Sequence, residues 1–301
     1  MKRMTDSNEK QEKKNTKNNY NLNHHPHKEQ KLILKILVLA IIVSAIFANS
    51  IIILSDQDNR LSTSLWILNI TAAIASSLGI IAICRHGLRG THGKSYLFLT
   101  LGLISWFSAD AAELYYHDIE GHREQKFVSI SDLLWFAGYG FLSAHLFTII
   151  SSLRSSIRLK VILLVAITSV LFVGYNIHIL LSSDEMYGLV PGNDVDFLAL
   201  VVTVTYPMLD LILIVPSGII LISLRKEYQH TVPWFLASLS LLINAVADDG
   251  YVHDFVNGNT QNLWVWNLFY VTDFIIMAGA LYWYNRFHIS DELSRKKIIV
   301  K

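Results

Sequence analysis

Residues 32–54 read LILKILVLAIIVSAIFANSIIIL, a run of 23 residues with a single charge, Lys35. A hydrocarbon core about 30 Å thick is crossed by roughly 20 apolar residues of helix, so the run is of spanning length. Seven more follow at about 64–84, 95–115, 130–153, 159–181, 197–224, 232–252 and 263–284. They are too long for strands, and a spanning segment must satisfy its backbone internally. The sequence therefore predicts an all-α fold, an eight-helix transmembrane bundle over 32–286. Composition agrees: 16% of the 301 residues are charged against about 25% in soluble domains, and mean hydropathy is +0.39. Cys84 is the only cysteine, which excludes an internal disulfide.

Basic residues near span ends stay cytoplasmic, and here they alternate from side to side. One side collects Lys2, Arg3, Lys10, Lys13, Lys14, Lys17, Lys28 and Lys31, then Arg85, Arg89 and Lys94, then Arg154, Arg158 and Lys160, then Arg225 and Lys226, and finally Arg286, Arg295, Lys296, Lys297 and Lys301. The other side holds only Arg60, Arg123 and Lys126, beside an acidic stretch at 182–196. This pattern predicts a multi-pass protein of the cell membrane with both termini in the cytoplasm. Residues 1–31, rich in Lys, Asn and Gln, have too little apolar surface to offset the entropy of ordering and are expected to form a disordered cytoplasmic tail. A second cytoplasmic tail is expected over 287–301. A cleaved signal peptide fits less well, because the charged stretch is long and the first apolar run is span-length. His24, His25 and His27 read as solvated tail residues.

Ala111–Asp118 (AAELYYHD) and Ala247–Asp254 (ADDGYVHD) align with Ala, Tyr, His and Asp identical and Glu113 opposite Asp249. Each closes an outward-running span, and each precedes an inward-running span carrying Asp132 or Asp273. The second to fourth and sixth to eighth spans thus read as an internal parallel three-helix repeat, about 64–153 and 197–286. In such repeats, related by an axis along the membrane normal, sites tend to form where the units meet.

The spans contain Asp110, Glu113, Asp132, Asp210, Asp248, Asp249 and Asp273, whereas no Lys or Arg lies inside a span between Lys35 and Arg286. A carboxylate at the bilayer centre costs at least ~2.5 kcal/mol, so each needs a proton, water or a bound cation. Asp210 and Asp273 stand deepest and are read as partners. Pro207 and Pro216 bracket Asp210, and each removes a helical donor, freeing carbonyls nearby. Spacings of 4, 3 and 4 place Trp106, Asp110, Glu113 and His117 on one helical face. Asp249 and His253 repeat the spacing of Glu113 and His117. If the two repeats meet at their outer ends, Glu113, His117, Asp249 and His253 form a candidate site for a divalent metal ion, two carboxylates and two imidazoles being a set suited to a transition metal. The candidate cation or proton ligands are Asp110, Glu113, His117, Asp210, Asp248, Asp249, His253 and Asp273. The plainer reading, residues that hydrate helix ends, stays open, and the cofactor is unassigned. His145, deep in its span, is expected to be satisfied by a hydroxyl or a carbonyl.

No HExxH, GxSxG, CxxC, Walker or GxGxxG pattern occurs, so enzymatic function has no motif behind it and catalytic residues are not assigned. Partners begin with the lipid bilayer, and nucleic acid is not expected. YPMLD (206–210) with Pro216, NAVADDGYVHD (244–254), and WNLFY (266–270) with GALYWYNRF (279–287) resemble a poorly characterised family of prokaryotic multi-pass membrane proteins. That family is similar to the membrane-embedded sensory modules of signalling proteins. The resemblance implies a sensor-like, receptor-like module; with about fifteen residues after the last span, its signal would pass to a separate membrane or cytoplasmic partner. A proton- or cation-coupled secondary transporter and an intramembrane metal-dependent enzyme are the alternatives.

Overall fold

The structure, a computed structural model, describes residues 29–88, 90–118, 129–153, 159–182, 197–223, 228–256 and 259–288. Every regular element among them is helical. We number the long helices α1 (Glu29–Leu54), α2 (Arg60–His86), α3 (Gly90–Asp118), α4 (Ile130–Leu153), α5 (Leu159–Ser182), α6 (Phe197–Ser223), α7 (Tyr228–Val256) and α8 (Trp264–Trp283). Single 3-10 turns at Gln57–Asn59 and Thr260–Asn262 lead into α2 and α8, and α8 runs on into a π-helical turn, Tyr284–His288. Seven helices, all but α5, are long and apolar enough to cross a membrane, and they fit an integral membrane protein. α5 occupies the place of the fifth predicted span and is apolar over Leu159–Phe172. Apart from 29–31 and 287–288, the two expected tails lie outside the described residues, as do Arg123, Lys126 and the acidic stretch up to Asp196.

The chain divides into two compact units, residues 1–44 and 45–301. In the first, α1 to Ser44 presents a largely apolar exposed surface, with Leu39, Ile42 and Val43 about half exposed.

Six helices close a ring. α2 packs on α3, α3 on α4, α4 on α6, α6 on α7, α7 on α8, and α8 returns to α2. α5 is not a ring member; it packs on α6 and touches α7. Its outer residues Leu163, Ile167, Val170 and Leu171 are exposed, as a lipid-facing surface requires.

Local chemistry fixes where several helices end. Gly87 stops α2 with φ of 74°, a value that costs a side-chain-bearing residue but not glycine, while its N–H bonds to Ile83 O at 2.8 Å. α4 opens with a capping box. The Ser129 N–H and Oγ donate to Asp132 Oδ2 at 2.8 and 2.9 Å, and the Asp132 N–H returns to Ser129 Oγ at 3.3 Å. Two reciprocal notches set the register of α3 on α4: a Cβ on Gly102 would stand 2.6 Å from Leu142 Cγ, and one on Gly138 would collide with the Trp106 indole. Small residues permit this close approach of backbones.

Two ends of the ring can be told apart. At the Asp118 end, Ser62 Oγ and Trp66 Nε1 of α2 both donate to Asp118, and the Arg60 guanidinium lies 4.7 Å over the Trp264 ring. At the Arg85 end, Asn285 Nδ2 donates to Leu78 O and an Arg85 guanidinium N–H donates to Asn285 O.

Candidate functional site

Tyr139 is the hub of the buried polar cluster. It sits nine residues into α4, almost wholly buried, and its hydroxyl faces two carboxyls from two other helices. The O–H reaches Asp210 Oδ1 of α6 at 2.7 Å and, at a very short separation, Asp248 Oδ2 of α7. Tyr270 of α8 donates to the other oxygen of Asp248 at 2.5 Å. Four ring helices therefore meet through two phenols and two carboxyls. A phenol carries one proton, yet that of Tyr139 stands between two acceptors.

The ring holds its other deep acids in the same manner. Asp110 of α3 accepts from Trp135 Nε1 of α4 at 3.0 Å, and Asn69 Nδ2 of α2 donates to the Asp110 carbonyl at 3.1 Å. Asp273 of α8 accepts from Ser240 Oγ of α7. Among the described residues, the side-chain hydrogen-bond partners of Asp110, Asp210, Asp248 and Asp273 are hydroxyls, an indole, an amide and, between Asp210 and Asp248, a second carboxyl; none is a Lys or Arg. Asp210 and Asp273 do not form the pair expected from their depth. The acid that shares a hydroxyl with Asp210 is Asp248, because α6 neighbours α4 and α7 in the ring and not α8.

Beyond the acids the large buried side chains are mostly apolar, interleaved with the small polar residues Thr100, Ser217 and Ser238. One to three turns toward the Arg85 end, Leu99 and Leu103 of α3, Leu142 and Leu146 of α4, Leu213 and Ile220 of α6, Leu241 of α7, and Met277 and Leu281 of α8 are fully or almost fully buried. Toward the Asp118 end the neighbours are polar. Tyr206 of α6 donates to Asp132 Oδ1 at 2.7 Å, so the capping carboxylate of α4 also ties α4 to α6. The rings of Tyr206 and Tyr139 lie 6.3 Å apart, linking this contact to the hub.

The outer quartet takes a different form from the one its spacing suggested. No group of three or more His, Cys, Asp or Glu side chains able to hold a metal ion occurs among the described residues, and Glu113, His117, Asp249 and His253 are all described. His117 Nδ1 instead lies 2.8 Å from Asp118, and His253 Nδ1 is 3.5 Å from Asp254. Each imidazole lies beside the carboxylate next in sequence. Asp254 also accepts from Trp266 Nε1 at 2.8 Å. Glu113 and Asp249 are half-buried, and Asp132 faces Glu113 across the α3 to α4 boundary.

His145, at the Arg85 end, meets the expected hydroxyl and carbonyl with one nitrogen, Nδ1 lying 2.9 Å from Ser95 O and 2.8 Å from Ser95 Oγ, while its buried Nε2 has no hydrogen-bond partner. Tyr96, stacked on Tyr284 at 3.6 Å between ring centres, closes over it edge-on.

Tyr139, Tyr206, Tyr270 and Trp135 were not singled out in the sequence as site residues. A signal existed: Tyr139 stands too deep for a boundary aromatic, and a buried phenol requires a hydrogen-bond partner. Comparison of the chain with protein-family models, with curated proteins and with solved structures found no match.

Proposed function

We propose that the protein is a non-enzymatic, receptor-like membrane sensor whose Tyr139, Asp210, Asp248 and Tyr270 cluster holds an exchangeable proton reached from the Asp118 end. The observation that carries this reading is the single Tyr139 hydroxyl set between two carboxyls. One phenolic proton cannot make two donated bonds, so a second proton, held by one of the carboxyls, completes the arrangement. That proton also removes a charge that the bilayer interior would penalise. Loss of it places two like charges on either side of one oxygen. The strain falls on α4, α6 and α7 together, and their rearrangement is the signal.

The large buried side chains between the Tyr139 cluster and the Arg85 end are mostly apolar, with Thr100, Ser217 and Ser238 among them, and this favours sensing over transport, since a transported ion needs a continuous polar path to both faces. Pro207 and Pro216 inside α6, on either side of Asp210, favour the second reading, a proton- or cation-coupled transporter with a bent helix at its midplane. The asymmetry of basic residues supports an outward-facing Asp118 end with both termini in the cytoplasm. The closed order of the ring is the one a two-fold axis would give if α2, α3 and α4 were equivalent to α6, α7 and α8, which supports the internal repeat. A separate membrane or cytoplasmic partner receives the signal.

Proton flux into proteoliposomes, read together with the infrared band of protonated carboxyls, tests the proposal. We expect a carboxyl band that titrates and is lost in Asp210→Asn or Asp248→Asn, with no flux. Flux that disappears in Asp210→Asn would establish the transporter instead.

A further inference from the structure

Tyr206 stands one turn from Asp210 on the same face of α6, toward the Asp118 end, and Asp132 stands two turns from Tyr139 on the same face of α4. Two phenol–carboxyl bridges between the same two helices are therefore stacked, with the partners exchanged. In the deeper one the Tyr139 hydroxyl of α4 reaches Asp210 of α6; in the outer one the Tyr206 hydroxyl of α6 donates to Asp132 Oδ1 of α4 at 2.7 Å. Tyr206 thus gives its proton to Asp132 and meets Tyr139 through its ring. Neighbouring seams are filled in another way. Trp106 of α3 lies against Gly138 of α4, and Trp266 of α8 against Gly250 of α7, each so closely that a Cβ on the glycine would overlap the indole. Those rings are wedged. The Tyr206 ring is half-buried, rests on the rings of Phe136, Tyr139 and Trp135 at 5.1, 6.3 and 6.4 Å between centres, and is tethered by one hydrogen bond. Pro207, next in the chain, has no N–H to give, so α6 lacks one ladder bond beside this ring and can bend there.

We infer that Tyr206 is the lid of the Tyr139 cluster, closed while its hydroxyl is bonded to Asp132 and open to water when that bond breaks and the ring swings aside with α6. The inference rests on the proton reading of the cluster and names the route, along the α4 to α6 seam, by which the proton arrives. Asp132 is a fixed post for the lid: the Ser129 N–H and Oγ hold its Oδ2, which leaves Oδ1 for Tyr206. The lid sets the rate of proton exchange and leaves the affinity alone, because the bonds to Asp210 and Asp248 are made by Tyr139 and Tyr270.

Mixing the purified full chain into D₂O and following the infrared band of its protonated carboxyls, which moves to lower frequency on deuteration, gives the exchange rate. Tyr206→Phe should speed exchange by roughly threefold, the shift in an opening equilibrium from losing one bond between spans, with the titration midpoint of the band unchanged. Asp132→Ala should also speed it, and the two changes together should do no more than the larger of the two alone, since both break the same bond. Ser64→Ala, which removes a bond of the same kind from Asn267 at the α2 to α8 seam, should leave the rate as it was and so separate a lid from general loosening. An unchanged rate in Tyr206→Phe would overturn the inference, as would a slower one, the mark of a phenol that relays the proton. A chain with no titrating carboxyl band would remove the proton reading itself, a result distinct from either.

Discussion

Replacing Tyr139 by Phe removes one oxygen from the centre of the ring and leaves its shape. The phenyl ring keeps its edge-on contact with Trp106, 5.4 Å between centres, and its place 6.3 Å from Tyr206, so lost packing contributes little. Two carboxyls lose the hydroxyl that stands between them, with unequal consequences. Asp248 retains Tyr270, and its loss is that of an ordinary bond between spans, about 0.6 kcal/mol. Asp210 is 0% exposed, its Oδ2 has no partner, and among the described residues Tyr139 is the hydroxyl that reaches Oδ1, so the carboxyl is stripped of that bond and left with the Asp248 carboxyl beside it. A buried group left unsatisfied costs about 1–3 kcal/mol, and taking ~1.5 gives a total near 2 kcal/mol. That is a factor of roughly 30 in the folding equilibrium. Reversible unfolding in mixed micelles measures it. Adding Asp210→Leu should then recover most of the Asp210 share, because the stripped group is gone. A loss under about 0.5 kcal/mol, the range of substitutions that touch nothing, would refute the hub geometry.

Other consequences can be checked separately. Gly138→Leu drives a side chain into the Trp106 indole and should cost about 1–3 kcal/mol, the range for overpacking, with partial recovery in the Trp106→Ala background. Ser129→Ala removes the cap of α4 and should cost about 1 kcal/mol, seen as faster amide exchange confined to the first turn of that helix. Cys84, exposed near the end of α2, should react with a membrane-impermeant maleimide in inverted vesicles and not in intact cells; the opposite result would reverse the proposed orientation.

Hydropathy located every helix, because the cost of exposing backbone to lipid leaves few alternatives to a helical span. It placed the ends within a few residues and mostly too far in. α2 extends to Arg60 and His86 where 64–84 was expected, and α3 to Gly90 and Asp118 where 95–115 was expected. Helical hydrogen bonding continues through polar residues to which hydropathy assigns no span. The deep acids were also legible, since an intramembrane carboxylate without a base must have some answer. Their partners were not. Pairing Asp210 with Asp273 used depth alone, whereas contact depends on which helices are neighbours, and ring order cannot be read from a periodic apolar sequence. For the same reason the spacing of four shared by Glu113 with His117 and Asp249 with His253 placed residues on a face without saying that the faces meet. Each imidazole lies beside the adjacent aspartate.

Because α5 stands outside the closed circuit and serves chiefly to carry the chain from α4 to α6, the covalent link between the two triplets is dispensable to the circuit's own contacts. A chain broken between α4 and α5, with the two fragments made together in one cell, should reassemble through the α2 to α8 and α4 to α6 seams. The protein would then behave as a heterodimer of unlike halves, and each seam could be varied from one fragment while the other was held constant.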